Sequence, residues 1–225
     1  MEINENECMN DFEENNIPEC KLSTKYDIGL DSSTGRAHIL NVDNLPSFDG
    51  SSDSIRDIID FLDVENSLRY KRTSKDTFCN IYSHDLANLM NCYIPRVWWV
   101  KSALETKNFD AQYLKTCREL NANELYEWFS DYGHYFGWVS LKSTSEAQKH
   151  ANNNKCVIMV AANKNKSRSG HIVNVVPENS EHKAIGSGGI TIIPLQSQAG
   201  GTNKKYFTSK WWSNMEKLKI FAKLD

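Results

Sequence analysis

Helices first and strands later predict an α+β fold for this chain. Three observations carry that reading. Apolar residues recur at helical spacing in Ile55, Ile58, Ile59 and Leu62, and again in Phe78, Tyr82, Leu86, Leu89 and Met90. From residue 155 onward short β-rich runs replace that period, at 155–162, 170–176, 189–195, 205–208 and about 217–222. The 225 residues, 40% of them hydrophobic, suffice for one sizeable core, which we assign to 51–225, behind an extension at 1–50.

Residues 1–20 hold seven acidic groups and no Lys or Arg, with little apolar surface to offset the entropy of ordering, so a flexible tail is expected. It is either a docking segment or a solvated leader. Lys25–Gly29 and Ala37–Val42 flank the turn-forming Asp31–Gly35 and predict a small hairpin; Pro46–Asp53 reads as a linker. Ser54 is placed to cap the first helix of the domain. A polar, basic loop at 70–76 leads to a helix over 78–91, with Cys79 in its first turn. Unpaired N–H groups and the positive helix end favour an anion there, and thiolate is the reactive form of cysteine. Cys79 is thus the candidate nucleophile, against the alternative of a buried, inert cysteine. Trp98 and Trp99 suit core or groove wall equally. Asn121 or Asn123 caps a helix facing Leu125, Trp128 and Phe129 inward, and Ser143 with Glu146 forms a capping box before a short helix. Trp138, after Gly137, is either core or a stacking platform for sugar or peptide.

A cysteine nucleophile needs a base, and the partner need not be near in sequence. Among six histidines, His171 opens the run Gly170–Pro177 and stands at a strand end, where a side chain can face a cleft. His38 lies in a predicted strand, His84 shares the helix of Cys79, and His134, His150 and His182 fall in polar surroundings.

These stretches carry a resemblance. Arg69-Tyr70, then Thr77-Phe78-Cys79-Asn80-Ile81-Tyr82 with Asp85, Ile94-Pro95, Asn121-Ala122-Asn123 with Leu125, and Phe136-Gly137-Trp138 come first. Ala147-Gln148 with Ala151-Asn152, Gly170-His171-Ile172, and Ser197-Gln198-Ala199-Gly200 follow. In this order, over about residues 51–212, the chain resembles the papain-like NlpC/P60 and CHAP superfamily, and within it peptidoglycan amidases and phage endolysins. The resemblance implies N-terminal helices with the nucleophile at a helix start, packed on an antiparallel sheet. It further implies a cysteine amidase or peptidase acting on peptidoglycan, with Tyr70 as an upstream oxyanion donor and Asn80 and Trp138 as further candidates for oxyanion or substrate contact. Tyr70 also reads as a packing tyrosine. The loop 177–189 is longer and more polar than the resemblance leads one to expect, which leaves the third catalytic residue open between Gln198, Gln196 and Glu178. Glu178 lies seven residues from His171, about 23 Å along an extended strand, and does not reach. If strand 170–176 returns as an antiparallel strand 189–195, Gln196–Gln198 arrive beside His171, and Gln198 is the choice.

Composition excludes other classes. The longest apolar run, Cys156–Ala162, is far short of the roughly 20 residues that span a bilayer, and the acidic N-terminus lacks a secretory signal. Six cysteines without close spacing and the absence of HExxH support neither a zinc site nor a local staple, so a reduced protein is expected that needs no metal or cofactor. Beyond the tail, 26 basic groups face 22 acidic ones, a net of +4 that suits an anionic wall polymer or is ordinary surface charge. The expectation is a monomer made in the cytoplasm that reaches the wall after release or delivery. Its partners would be peptidoglycan and a delivery or immunity protein, with no nucleic acid and no membrane. The alternatives are an intracellular cysteine protease or deamidase, and a non-catalytic glycan-binding module.

Overall fold

A computed structural model describes residues 17–22, 45–48, 54–74, 76–165 and 167–224. Helix α1 (Ile55–Leu62) begins where Ser54 accepts from the Arg56 N–H and ends where Asp63 turns left-handed, at φ 42°. Ile55, Ile58, Ile59 and Leu62 are its buried face, and it packs against α2 (Cys79–Leu89). Helix α2 is buried from Cys79 to Ala87, including Asn80, Ser83, His84 and Asp85. The apolar stripe predicted for it therefore understates its position at the centre of the molecule.

A two-stranded ribbon, β1 (Val97–Trp99) with β2 (Cys117–Glu119), flanks α2, with α3 (Lys101–Glu105) between the two strands in sequence. Trp98 and Trp99 are core. Asn121, not Asn123, caps α4 (Ala122–Asp131), in a capping box with Glu124.

The main sheet has six strands, all neighbours antiparallel, in the order β3 (Trp138–Ser140), β10 (Leu218–Lys223), β4 (Val157–Ala161), β5 (His171–Val175), β8 (Gln196–Gln198) and β9 (Lys204–Phe207). Ile158 and Val160 of β4 face the core shared with α1, α2 and α4, whereas Val157 and Met159 face a second cluster with Ala147 and Ala151 of α5 (Thr144–Asn152). Helices cover both faces, so β4 is apolar throughout instead of alternating.

The predicted return of strand 189–195 against strand 170–176 is corrected. β7 (Ile190–Ile193) folds back on β6 (Ile185–Ser187) through Gly188 and Gly189, at φ 58° and 76°. Glycine occupies such left-handed positions freely, so the tight turn pairs the chain locally and β5 takes β8 as its partner.

The flexible-tail reading is corrected at residues 17–20. Cys20 and Leu22 are buried, the Trp99 indole donates to the Pro18 carbonyl at 2.9 Å, and the Tyr93 hydroxyl accepts from the Cys20 N–H at 2.8 Å. Within the linker, Phe48 packs on Phe61, ring centres 5.0 Å apart. Residues 1–16 and the predicted hairpin at 25–42 lie outside the described residues. Among the described residues no helix is long and apolar enough to cross a membrane.

Candidate active site

Cys79 is the first residue of α2, behind Phe78, whose side chain has no oxygen with which to cap the helix. The helix lies against β5 and brings Cys79 into hydrogen-bond contact with His171, the first residue of that strand. The backbone N–H groups of Asn80 and Ile172 also point at the sulfur. Burial pushes the thiol up, but the imidazole and the two N–H groups together outweigh it and hold Cys79 below the ordinary thiol range. Burial likewise pushes the His171 imidazole down, while contact with Cys79 and Gln198 carries it above its usual value. Both directions favour a thiolate–imidazolium pair.

Gln198 Oε1 lies 2.7 Å from His171 Nε2, and the Gln198 amide nitrogen donates to the Thr202 carbonyl at 2.8 Å, which fixes which end of the amide is oxygen. An amide oxygen only accepts, so Nε2 carries the proton and Nδ1 is left for the sulfur. Although β5 pairs with β8 and not with the predicted strand 189–195, the antiparallel pairing Asn174↔Ser197 still brings Gln198 beside His171. Glu178 is turned elsewhere, accepting from the Asn152 side chain and the Ala184 N–H.

The imidazole is held from two further sides. Trp211 meets it edge to face at 4.9 Å and is itself oriented by donating to Gln196 Oε1 at 2.7 Å. Gly200 is the close approach opposite, since a Cβ there would stand 3.2 Å from His171 Cε1. Before the strand, a Cβ on Gly170 would collide with the Ala161 carbonyl at 2.5 Å and with Asn123 Oδ1 at 2.6 Å. Asn123, free of capping duty, accepts from the Asn163 N–H and donates to the Arg168 carbonyl, pinning the loop that delivers His171. Sequence reasoning missed Trp211. Its only signal was the Trp211-Trp212 tandem, which has no periodicity to say where it packs.

Three other expected residues are placed away from open space. The Tyr70 hydroxyl donates to Asp85 at 2.9 Å, and Asp85 also receives Arg69 at 2.6 Å and Arg96 at 2.5 Å. Burial would raise the Asp85 carboxyl; the two guanidinium groups hold it below the ordinary carboxylate range. Tyr70 is therefore part of a buried ionic cluster that anchors α2, and its hydroxyl is committed there. The Asn80 side chain donates to Glu119 and to the Leu120 carbonyl, both at 3.0 Å, tying the helix start to the end of β2. Of the two readings of Trp138 the structure takes core and not the stacking platform: it is 3% exposed, meets Phe129 edge to face, and donates to the Tyr93 carbonyl at 2.8 Å.

Of the other histidines, His84 is buried with Nδ1 on the Ile94 carbonyl, His182 stacks on Tyr206, and His38 lies outside the described residues. A cleft of about 500 Å³ reaches the neighbours of the pair through Glu119, which accepts from the Asn80 side chain, and Asn123, which abuts Gly170; neither Cys79 nor His171 lines it. Arg118, Glu119, Glu124 and Arg168 give it both signs of charge.

A comparison with protein-family models finds no match to this chain. A comparison with curated proteins finds none either.

Proposed function

We propose that the chain is a papain-like cysteine hydrolase that cuts an amide bond in peptidoglycan. One observation carries the catalytic part: a cysteine at a helix start contacts a histidine whose far nitrogen is held by an amide oxygen at 2.7 Å. The helix-on-sheet arrangement around it supports the papain-like reading, and the resemblance of the chain to NlpC/P60 and CHAP enzymes supplies the substrate class. The mixed-charge cleft suits a peptide that bears both carboxylate and amine groups.

In this mechanism the Cys79 thiolate attacks the amide carbonyl, and N–H groups at the start of α2 stabilise the oxyanion. The His171 imidazolium protonates the departing amine and a thioester remains. His171 then takes a proton from the water that attacks the thioester, which releases the acyl group as a carboxylic acid and restores the thiolate–imidazolium pair. Gln198 fixes the ring and its tautomer throughout.

The test is purified peptidoglycan incubated with the protein and the released fragments identified by mass spectrometry. New paired amine and carboxyl ends, absent with Cys79→Ala, are expected. Unchanged peptidoglycan, or identical fragments from the Cys79→Ala protein, refutes the reading.

A further inference from the structure

Five of the six cysteines lie within the described residues, all buried and none disulfide-bonded. Cys79 faces His171. The other four face one another in two pairs, Cys20 with Cys117 and Cys92 with Cys156, the thiols of each pair in hydrogen-bond contact. Both pairs are far apart in sequence, which is why spacing alone does not reveal them.

Contacts that do not involve sulfur bring the segments of each pair together. Trp99, opposite Cys117 in the β1–β2 ladder, donates to the Pro18 carbonyl, and the Tyr93 hydroxyl binds both the N–H and the carbonyl of Cys20, at 2.8 and 3.2 Å. The segment bearing Cys20 is thereby laid over Cys117. At the other pair, the Lys223 N–H donates to the Cys156 carbonyl at 2.9 Å. Trp138, opposite Lys223 in the β3–β10 ladder, donates to the carbonyl of Tyr93, the neighbour of Cys92. A cavity of about 210 Å³ is lined by Cys20 and Cys92, one member of each pair.

We propose that Cys20–Cys117 and Cys92–Cys156 are two disulfide sites that close when the protein meets a disulfide oxidant, leaving Cys79, among the described cysteines, as the thiol kept for chemistry. With oxidised glutathione as oxidant, one thiol of a pair loses its proton and attacks the glutathione disulfide, whose S–S bond breaks to release one glutathione. The second thiol then loses its proton and attacks the mixed disulfide, forming the protein S–S bond and releasing the second glutathione. Two electrons pass from each pair to one glutathione disulfide, and the two protons end on the two glutathione thiols. The first bond fastens residues 17–22 to β2; the second joins the chain leaving α2 to the start of β4. Neither bond uses Cys79, His171 or Gln198. Cys79 has a histidine for its neighbour, and the other four described cysteines face one another instead.

The test uses the full chain, incubated with oxidised glutathione, then unfolded, alkylated with iodoacetamide and mapped by mass spectrometry. Expected are linked peptides 20–117 and 92–156, a loss of about 2 Da per bond, and alkylated Cys79. The melting temperature should rise by about 10 °C per bond, because each closes a loop of roughly 65 to 100 residues, and fall back with dithiothreitol. Cys20→Ser should keep only the 92–156 link and Cys92→Ser only the 20–117 link. Refolding from urea in a glutathione redox buffer should give the same pairs, so burial of the thiols in the native state does not shelter the proposal. Four alkylatable thiols at these positions after that refolding, or a dominant link that includes Cys79, overturns it.

Discussion

Cys79 and His171 each move the other's protonation in the direction that makes a nucleophile, and this sets a pH dependence. The thiolate–imidazolium pair exists above the lowered thiol value and below the raised imidazole value, and the two belong to the pair as a whole. We expect kcat/KM on peptidoglycan to be bell-shaped, the acid limb following Cys79 and the alkaline limb following His171. A rate that only climbs towards the ordinary thiol range would contradict the ion pair. Cys79→Ala should remove activity by at least about 10³-fold with the circular dichroism unchanged. Gln198→Ala should cost roughly 10- to 100-fold, because a neutral amide orients the ring without neutralising it. Glu178→Ala should leave turnover within about twofold, its carboxylate being occupied at Asn152 and Ala184. These residues were legible because each sits on a local signal: a helix start, a strand start, and the far end of the next pairing strand. Exposure adds nothing, since Cys79 at 4% is no more open than Cys92 at 7%. Selective alkylation of Cys79 would therefore report its thiolate character alone. Tyr70 and Trp138 were misleading for the opposite reason: an aromatic residue names its chemistry but not the face it presents.

At the scale of elements, α2 shows what periodicity omits. Five apolar residues mark a stripe, yet four polar residues of the helix are buried as well, each met by a group from another segment: Asn80 by Glu119 and Leu120, Ser83 by Asn174, His84 by Ile94, Asp85 by Arg69 and Arg96. Those partners arrive only with the tertiary fold. Asp85→Asn removes the carboxylate facing the Arg96 side chain, which is 2% exposed, and should cost about 3–5 kcal/mol, or about 10 °C in melting temperature. His84 gives a second test. Burial, with Arg96 nearby, lowers it to about 3 from an ordinary 6.5. Between those values the unfolded chain binds a proton that the native chain does not, so stability rises with pH across this window. Stability should accordingly fall as the pH drops from 6.5 towards about 3, and His84→Gln should flatten the decline in urea-unfolding midpoints. The Asp85 carboxyl, itself lowered from 3.8, contributes only at the acid end of that range, so the two are separable.

At the scale of the whole molecule, the order of elements was legible and their connection was not. β10, last in the chain, enters the sheet between β3 and β4, and β8 displaces β7 as the neighbour of β5. Such pairings are decided by which edge remains open after the glycine turn at 188–189 has closed on itself, which no local pattern records. The N-terminal extension shows the same limit. Its acidic composition describes a solvated leader, yet two residues of it carry contacts that composition cannot show: the Pro18 carbonyl on Trp99 and both backbone groups of Cys20 on Tyr93. Leu22, just beyond, is fully buried. Deleting residues 1–22 therefore removes the burial of Cys20 and Leu22 together with three hydrogen bonds to the aromatic core. The expected cost is about 3–5 kcal/mol, read as a fall of about 10 °C in melting temperature by circular dichroism. Deleting only residues 1–16 removes none of these contacts and should leave the melting temperature within about 2 °C of the full chain. If the longer deletion is as silent as the shorter one, residues 17–22 do not belong to the core, and the boundary between extension and domain lies after them.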